Sequence, residues 1–419
     1  MSVRAVRPHK LEGAVNIPAS KSYGHRLLIE SFASGNPVTV KGNLIGDDIE
    51  ATVGCLRSCG ARIERAERGI KVLPSDMPVK RADVFCKESG STLRFLMSVL
   101  PAAGVEATFT GAGKLPSRPV RALLDCLRAA GVAADGERLP FTLSGRFARG
   151  TRFVLKELKS SQDVSGLLMA MPLVEGASLE IDGALPSEGY VAVTLETLKA
   201  FGVRYESKNN IYRPLSSYGA PREVEAEGDW SSAAFIAVAG VLAGETEITG
   251  LKYPSLQPDS AILRLLKEAG ADIEFTDGAL VARKSDLRAI EFNADGCPDL
   301  VPAMSVALAA AKGVSVIRGV DRLRFKESDR IASVINMLAE FGIRSEYAEN
   351  GLKIYGGELA GGGVVDGAGD HRIAMSAAIA ASAASGDKET LIRGAECVSK
   401  SYPCFYEDLI ALGGIVYER

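Results

Sequence analysis

Two kinds of apolar pattern alternate along this chain. In stretches such as Ser232–Leu242 and Ile373–Ala384, small and apolar residues fill every helical position, which predicts helices buried on all sides. In stretches such as Ser260–Ala269, Ile262, Leu263, Leu265 and Leu266 keep to one side and charges to the other, predicting an amphipathic helix with one buried face.

Both patterns repeat. Leu-x-x-x-Gly closes the amphipathic stretches at Leu56–Gly60, Leu127–Gly131, Leu198–Gly202, Leu266–Gly270, Leu338–Gly342 and Leu409–Gly413, with the glycines 68 to 72 residues apart. Glycine there can take the left-handed conformation that ends a helix. The all-apolar runs end at Gly35, Gly104, Gly176, Gly244, Gly313 and Gly386, and a short strand-like segment such as Val38-Thr39-Val40 or Val314-Ser315-Val316 follows each. Each repeat therefore predicts a buried helix, a strand, an amphipathic helix and further strands. Repeats near 70 residues are longer than the ~20–50 of open solenoids. At ordinary domain sizes they predict two domains of three repeats each, with pseudo-threefold symmetry. Small residues let the buried helices bundle closely, with sheets and amphipathic helices wrapped outside.

Length and composition agree with this and exclude several classes. A chain of 419 residues is beyond the ~250–300 at which a single core stops growing. Against 49 Lys and Arg stand 52 Asp and Glu, so the net charge of −3 argues against a general nucleic-acid binder. Apolar runs such as Ala233–Leu242 fall short of the ~20 residues that span a bilayer. The N-terminal residues lack the apolar segment of a secretory signal. Seven scattered cysteines without a Cys-x-x-Cys pattern are expected to be reduced thiols, several of them core filler, in a cytoplasmic protein.

The chemistry is concentrated where the buried helices begin. These starts read Ser20-Lys21-Ser22, Ser89-Gly90-Ser91-Thr92, Ser160-Ser161-Gln162, Asp229-Trp230-Ser231-Ser232, Pro298-Asp299 and Asp370-His371-Arg372. Ser, Thr and Asp are ordinary N-caps, but a helix start also offers unpaired N–H groups that suit an anion. Cations stand at or just after these starts, at Lys21, Arg26, Arg94 and Arg372. Others lie near the amphipathic helix starts, in Arg118-Pro119, Lys326-Glu327-Ser328-Asp329-Arg330 and Lys400-Ser401-Tyr402-Pro403. Cations there oppose the helix dipole, and such local violations mark functional sites. Converging starts would form a cationic cleft for phosphates and carboxylates. A P-loop, a dinucleotide-binding glycine motif, His-Glu-x-x-His and Gly-x-Ser-x-Gly are all missing, and three histidines are too few and scattered for a zinc site.

On these motifs, joined by Leu93-Arg94 and Ser117, the chain resembles the 5-enolpyruvylshikimate-3-phosphate synthases over essentially its whole length. The resemblance implies a two-domain inverse α/β barrel, a mixed α/β prism with three βαβαββ repeats per domain and central buried helices. Residues 1–19 with 230–419 would form one domain and 20–229 the other, with the active site in the cleft between them. It implies transfer of the enolpyruvyl group of phosphoenolpyruvate to the 5-hydroxyl of shikimate 3-phosphate, releasing phosphate, without cofactor or metal. Lys21, Ser22, Arg26, Ser160, Ser161, Gln162, Ser187, Tyr190, Asp299 and Lys326 would hold shikimate 3-phosphate. Lys21, Gly90, Arg118, Gln162, Arg330, Arg372 and Lys400 would hold phosphoenolpyruvate, and Asp299 and Glu327, with Lys21, would carry the catalysis. Both substrates are polyanions and the reaction is proton transfer without redox, so the residues fit the chemistry. A monomer that binds neither nucleic acid nor membrane is expected.

Some positions depart from the family pattern. Arg322 stands where many members carry a substrate-touching Asn, Glu88 where Asn is common, and Ser91 where Thr is usual. Gly90 leaves room beside the enolpyruvyl site, which implies sensitivity to glyphosate. The related UDP-N-acetylglucosamine enolpyruvyl transferases carry a reactive Cys in the loop that here reads Gly111 to Ser117 without one. A non-catalytic scaffold is the other alternative, and intact Lys21, Asp299, Glu327 and Lys400 argue against it.

Overall fold

The computed structural model describes residues 2–74 and 79–419. Buried and amphipathic helices alternate as the patterning predicts: α1 (Lys21–Ser34), α2 (Asp47–Ser58), α3 (Gly90–Ala102), α4 (Arg121–Ala129), α5 (Ser161–Ala170), α6 (Gly189–Ala200), α7 (Trp230–Ala243), α8 (Ala261–Glu268), α9 (Val301–Ala309), α10 (Arg330–Glu340), α11 (His371–Ala383) and α12 (Phe405–Ala411). The odd-numbered helices are the buried ones. Five begin on a side-chain cap, with Ser20, Ser89, Ser160, Asp229 and Asp370 accepting a backbone N–H two or three residues on. The exception is α9, which is entered through a 3-10 turn, Pro298–Leu300, that places Asp299 ahead of the helix rather than at its cap. The six Leu-x-x-x-Gly glycines all take φ between 74° and 94°, the left-handed geometry that a residue with a Cβ adopts at a cost.

Among the described residues there are six four-stranded sheets of identical topology, one parallel pair followed by two antiparallel pairings. Three are completed by distant segments, one of them by Leu11–Asn16, which runs parallel to Gly244–Thr249. Glu223–Glu225 runs parallel to Val38–Lys41, and the N-terminal strand Val3–Arg7 lies antiparallel between Thr390–Arg393 and Ile415–Glu418.

The chain forms two compact units, one split (residues 1–18 and 227–419) and one continuous (19–226). The division falls at Pro18–Ala19 and Ala226–Glu227, slightly earlier than the sequence expectation. Backbone pairing explains this: Glu223–Glu225 belongs to a sheet of the continuous unit, whereas Asp229 N donates to Pro18 O at 2.9 Å. Each unit has its own hydrophobic core around three central helices, α1, α3 and α5 in one and α7, α9 and α11 in the other. Close helix contact needs small residues: a Cβ on Gly166 of α5 would stand 2.7 Å from the Arg94 carbonyl of α3. On α7, Phe235, Ile236, Val238 and Val241 are fully buried, each worth ~1.5–3 kcal/mol of transfer free energy. The seven cysteines are free thiols, six of them buried. Among the described residues no helix is long and apolar enough to cross a membrane.

Candidate active site

In the continuous unit the starts of α1, α3, α5 and α6 are tied together by side chains. Lys21, the first residue of α1, pairs with Asp48 of α2 at 2.9 Å. Arg26, one turn further, is buried. Its Nε donates to Thr194 Oγ1 (2.8 Å), Nη1 to the Ser22 carbonyl (2.8 Å), and Nη2 to Ser165 Oγ (3.2 Å) and the Tyr190 carbonyl (3.1 Å). Phe95 lies 5.0 Å from its guanidinium. Burial pushes Arg26 down to about 10, opposed by the charge of Glu30.

Arg94 of α3 joins two further segments, the start of α5 and the loop at Pro119. It donates to the Gly90 carbonyl (3.3 Å), Gln162 Oε1 (3.3 Å) and the Pro119 carbonyl (2.7 Å), and its Nε pairs with Asp163 at 3.3 Å. Burial pushes Asp163 up to about 6 against the pull of Arg94. The Gln162 amide also donates to Ser91 Oγ at 2.9 Å, so Ser91 has a defined task. Gly90 and Arg118 touch: a Cβ on Gly90 would stand 2.7–2.9 Å from three guanidinium atoms. The room expected beside Gly90 is thus the seat of Arg118. Ser160 caps α5, Ser161 is buried in its first turn, and Ser187 holds a left-handed φ of 50° just before α6, accepting the Tyr190 N–H at 3.1 Å. Buried His25 links Nδ1 to Thr52 Oγ1, which in turn meets Thr92 Oγ1, each at 2.7 Å. Burial holds this imidazole neutral, pushed down to about 3.

In the split unit the cations are held by carboxylates. Arg330, at the start of α10 and only 1% exposed, donates to Asp370 (Nε, 2.8 Å), Asp299 (Nη1, 2.7 Å) and Glu327 (Nη2, 2.7 Å). Burial alone would push Arg330 down, but Asp370, Glu327 and Asp299 outweigh it and hold the guanidinium well above its ordinary value. Asp299 also accepts from Lys326 Nζ (3.3 Å) and Arg372 Nη2 (3.0 Å). Asp370 caps α11 through the Arg372 N–H and accepts from Ser328 Oγ. Lys400, ending a 3-10 turn, donates to the Gly369 carbonyl at 2.7 Å, one residue before that cap. Arg322 turns to Asp295, donating to its carbonyl and its carboxylate at 3.0 Å each. Glu88 lies over Gly113, where a Cβ would stand 2.2 Å from Oε2.

Each unit therefore brings its own share of the expected residues together at its central-helix starts. The sequence points to the cations and to Asp299 and Glu327, but not to the partners of Lys21, Arg26 and Arg94 in the continuous unit. Asp48, Asp163 and Thr194 reach Lys21, Arg94 and Arg26 across helices. Asp163 follows Gln162 directly and Asp48 lies in an acidic helix start, the only local signals either carried.

The family model described as EPSP synthase (3-phosphoshikimate 1-carboxyvinyltransferase) matches residues 6–409. Two curated relatives, both named 3-phosphoshikimate 1-carboxyvinyltransferase, are from Clostridium kluyveri and Aeropyrum pernix. The first is 38% identical over 426 residues, covering 100% of this chain and 99% of the relative. The second is 37% identical over 418 residues, covering 98% and 96%. Among solved structures, EPSP synthase from Acinetobacter baumannii superposes with a TM-score of 0.81 at 25% identity over the full length of both chains. The enolpyruvyl transferase NikO from Streptomyces tendae shares the fold, with a TM-score of 0.78 at 19% identity over 100% of this chain and 98% of that one.

Proposed function

Because the chain belongs to the EPSP synthase (3-phosphoshikimate 1-carboxyvinyltransferase) family, its reaction is enolpyruvyl transfer from phosphoenolpyruvate to shikimate 3-phosphate, and we propose how its residues divide that work. Ser22, Arg26, Ser160, Ser161, Gln162, Ser187, Tyr190 and Lys326 hold shikimate 3-phosphate, together with Lys21 and Asp299. Gly90, Arg118, Arg330, Arg372 and Lys400 hold phosphoenolpyruvate, with Lys21 and Gln162.

The observation that carries this reading is the single Asp299 carboxylate shared by Lys326, Arg330 and Arg372. Three cations meeting at one acid gather charge-assisted donors in one place, where a substrate carboxylate or phosphate can take over the acid's part. Arg330 is aimed before any substrate arrives, because three acids fix its planar fork.

The chemistry needs two proton carriers. The 5-hydroxyl oxygen bonds to C2 of phosphoenolpyruvate as its proton leaves to Asp299, and Glu327 supplies a proton to the methylene carbon. Elimination then runs back: a methyl proton returns to the Glu327 carboxylate, the double bond re-forms and the C–O bond breaks so that phosphate leaves with the bonding electron pair. Lys21 and the arginines stabilise the charge on the departing phosphate. We propose that the enzyme works as a cytoplasmic monomer, and its buried free thiols suit a reducing compartment.

Phosphate release tests the reading. It should require both substrates together, and Asp299→Asn should suppress it ~10²-fold or more. Release from phosphoenolpyruvate alone, or a fully active Asp299→Asn protein, would overturn the assignment of roles.

A further inference from the structure

One turn apart on α1, Arg26 and Glu30 are both fully buried, and the reaction as proposed gives Glu30 no task. Each meets a threonine of α6. Arg26 Nε donates to Thr194 Oγ1 at 2.8 Å, and the Thr197 hydroxyl donates to Glu30 Oε1 at 2.8 Å. These two rungs fasten α1 along the middle of α6, and at its start the Tyr190 carbonyl accepts Arg26 Nη2. Glu30 Oε2 meets no donor among the described residues. Tyr205 and Tyr218 feel the charge of Glu30, but their hydroxyls donate elsewhere, to the Leu168 and Met169 carbonyls. The charged group that acts on Glu30 is Arg26.

A carboxyl in this setting is either neutral or ionised with Arg26 as its counter-charge. Burial pushes Glu30 up to about 8 and Arg26 down to about 10. Between pH 7 and 9 the acid changes charge one turn from a guanidinium that stays protonated.

We infer that Glu30 is a positioning residue for shikimate 3-phosphate, acting through Arg26: its carboxyl sets how much of the guanidinium charge remains for a substrate anion and keeps the α6 start aligned. This rests on the reading that Arg26, Ser187 and Tyr190 hold that substrate. While Glu30 is neutral the charge of Arg26 is uncompensated. Once Glu30 ionises it competes with the substrate phosphate for Arg26. Binding of shikimate 3-phosphate therefore weakens as pH rises through about 8, and binding of phosphoenolpyruvate does not.

The experiment measures KM for each substrate from pH 7 to 9 in the parent, Glu30→Gln, Thr197→Val and Arg26→Gln. In the parent, KM for shikimate 3-phosphate should rise ~3–10-fold over this range. Glu30→Gln, which keeps the shape and cannot ionise, should hold the low-pH KM throughout. Thr197→Val removes a donor to the ionised form and should move the inflection up by ~0.5–1 pH unit. A parent KM independent of pH, or a Glu30→Gln change equal at every pH, would overturn the inference and leave Glu30 a packing residue. Arg26→Gln separates the two levels. If it leaves this KM unchanged, the reading of Arg26 fails and the inference falls with it. If it raises KM while Glu30→Gln keeps the parent's pH dependence, the inference alone fails. Should Glu30→Gln not fold, an unmoved inflection in Thr197→Val is the overturning result.

Discussion

The two sets of helix starts hold their cations by different means. In the split unit, Lys326, Arg330 and Arg372 are netted by Asp299, Glu327 and Asp370, charge against charge. In the continuous unit Lys21 pairs with Asp48 and Arg94 with Asp163, but Arg26 and Arg94 are fixed mainly by carbonyls, an amide and hydroxyls. The difference has a physical consequence. A carboxylate partner can be exchanged for a substrate carboxylate or phosphate of like charge, so the netted cations are ligands in waiting. A carbonyl partner cannot be exchanged that way, so Arg94 is a brace that sets where Gly90 and Gln162 stand, and Arg26 braces Ser22 and Tyr190 while keeping its charge for the substrate of the proposed reading.

The largest expected effect comes from cutting the net. Asp370→Ala removes a partner of fully buried Arg330 and the cap of α11, and should destabilise the split unit by about 3–5 kcal/mol in denaturant unfolding. A loss below ~1 kcal/mol would show that Asp299 and Glu327 suffice, and that the net is redundant.

Next is chemistry. Glu327→Gln keeps the shape of the side chain and should lower turnover ~10²-fold or more while leaving phosphoenolpyruvate binding nearly intact. Turnover within about threefold of the parent would make Glu327 only a counter-charge of Arg330.

A smaller effect is expected where the continuous unit touches phosphoenolpyruvate in the proposed reading. Gly90→Ala would push a methyl group against the Arg118 guanidinium, whose flexible tip must then move. Arg118→Lys would lose the planar fork. Each should raise KM for phosphoenolpyruvate ~10-fold and leave that for shikimate 3-phosphate unchanged. Equal weakening of both substrates would make Arg118 a brace like Arg94.

The smallest effect concerns Asp259, buried near the net and hydrogen-bonded to the Ser231 hydroxyl. Burial first, then the charge of Asp299, pushes its carboxyl up to about 7. It therefore holds its proton more tightly folded than unfolded. Its stabilising contribution is complete below the ordinary carboxyl range of ~4 and is lost as pH rises through about 7. Asp259→Asn has no such proton to lose, so its stability should gain ~1 kcal/mol on the parent between pH 6 and 7. A difference constant across that range would mean that Asp259 does not titrate in the folded protein.

How much was legible beforehand follows from the range of the interactions. The alternation of helix types could be read because hydrophobic period and glycine sterics act within a few residues. The six Leu-x-x-x-Gly glycines show this, since a left-handed φ is a property of one residue and its neighbours. The caps at Ser20, Ser89, Ser160, Asp229 and Asp370 were legible for the same reason. The 3-10 turn at Pro298–Leu300 was not, because whether a helix start tightens depends on what packs over it.

The sequence by itself determined the helices, their caps, the repeat and the cations at the helix starts, because local sterics and patterning decide these. Only the tertiary structure decided which acid answers which cation, as Asp48 does Lys21, Asp163 does Arg94 and Asp370 does Arg330. It also decided that the Val3–Arg7 strand completes the sheet of the last repeat, and that Arg118 fills the space beside Gly90. Partners brought together by chain closure carry no period along the sequence. Coulomb attraction and desolvation act through space and select them once the backbone has placed the helix starts side by side.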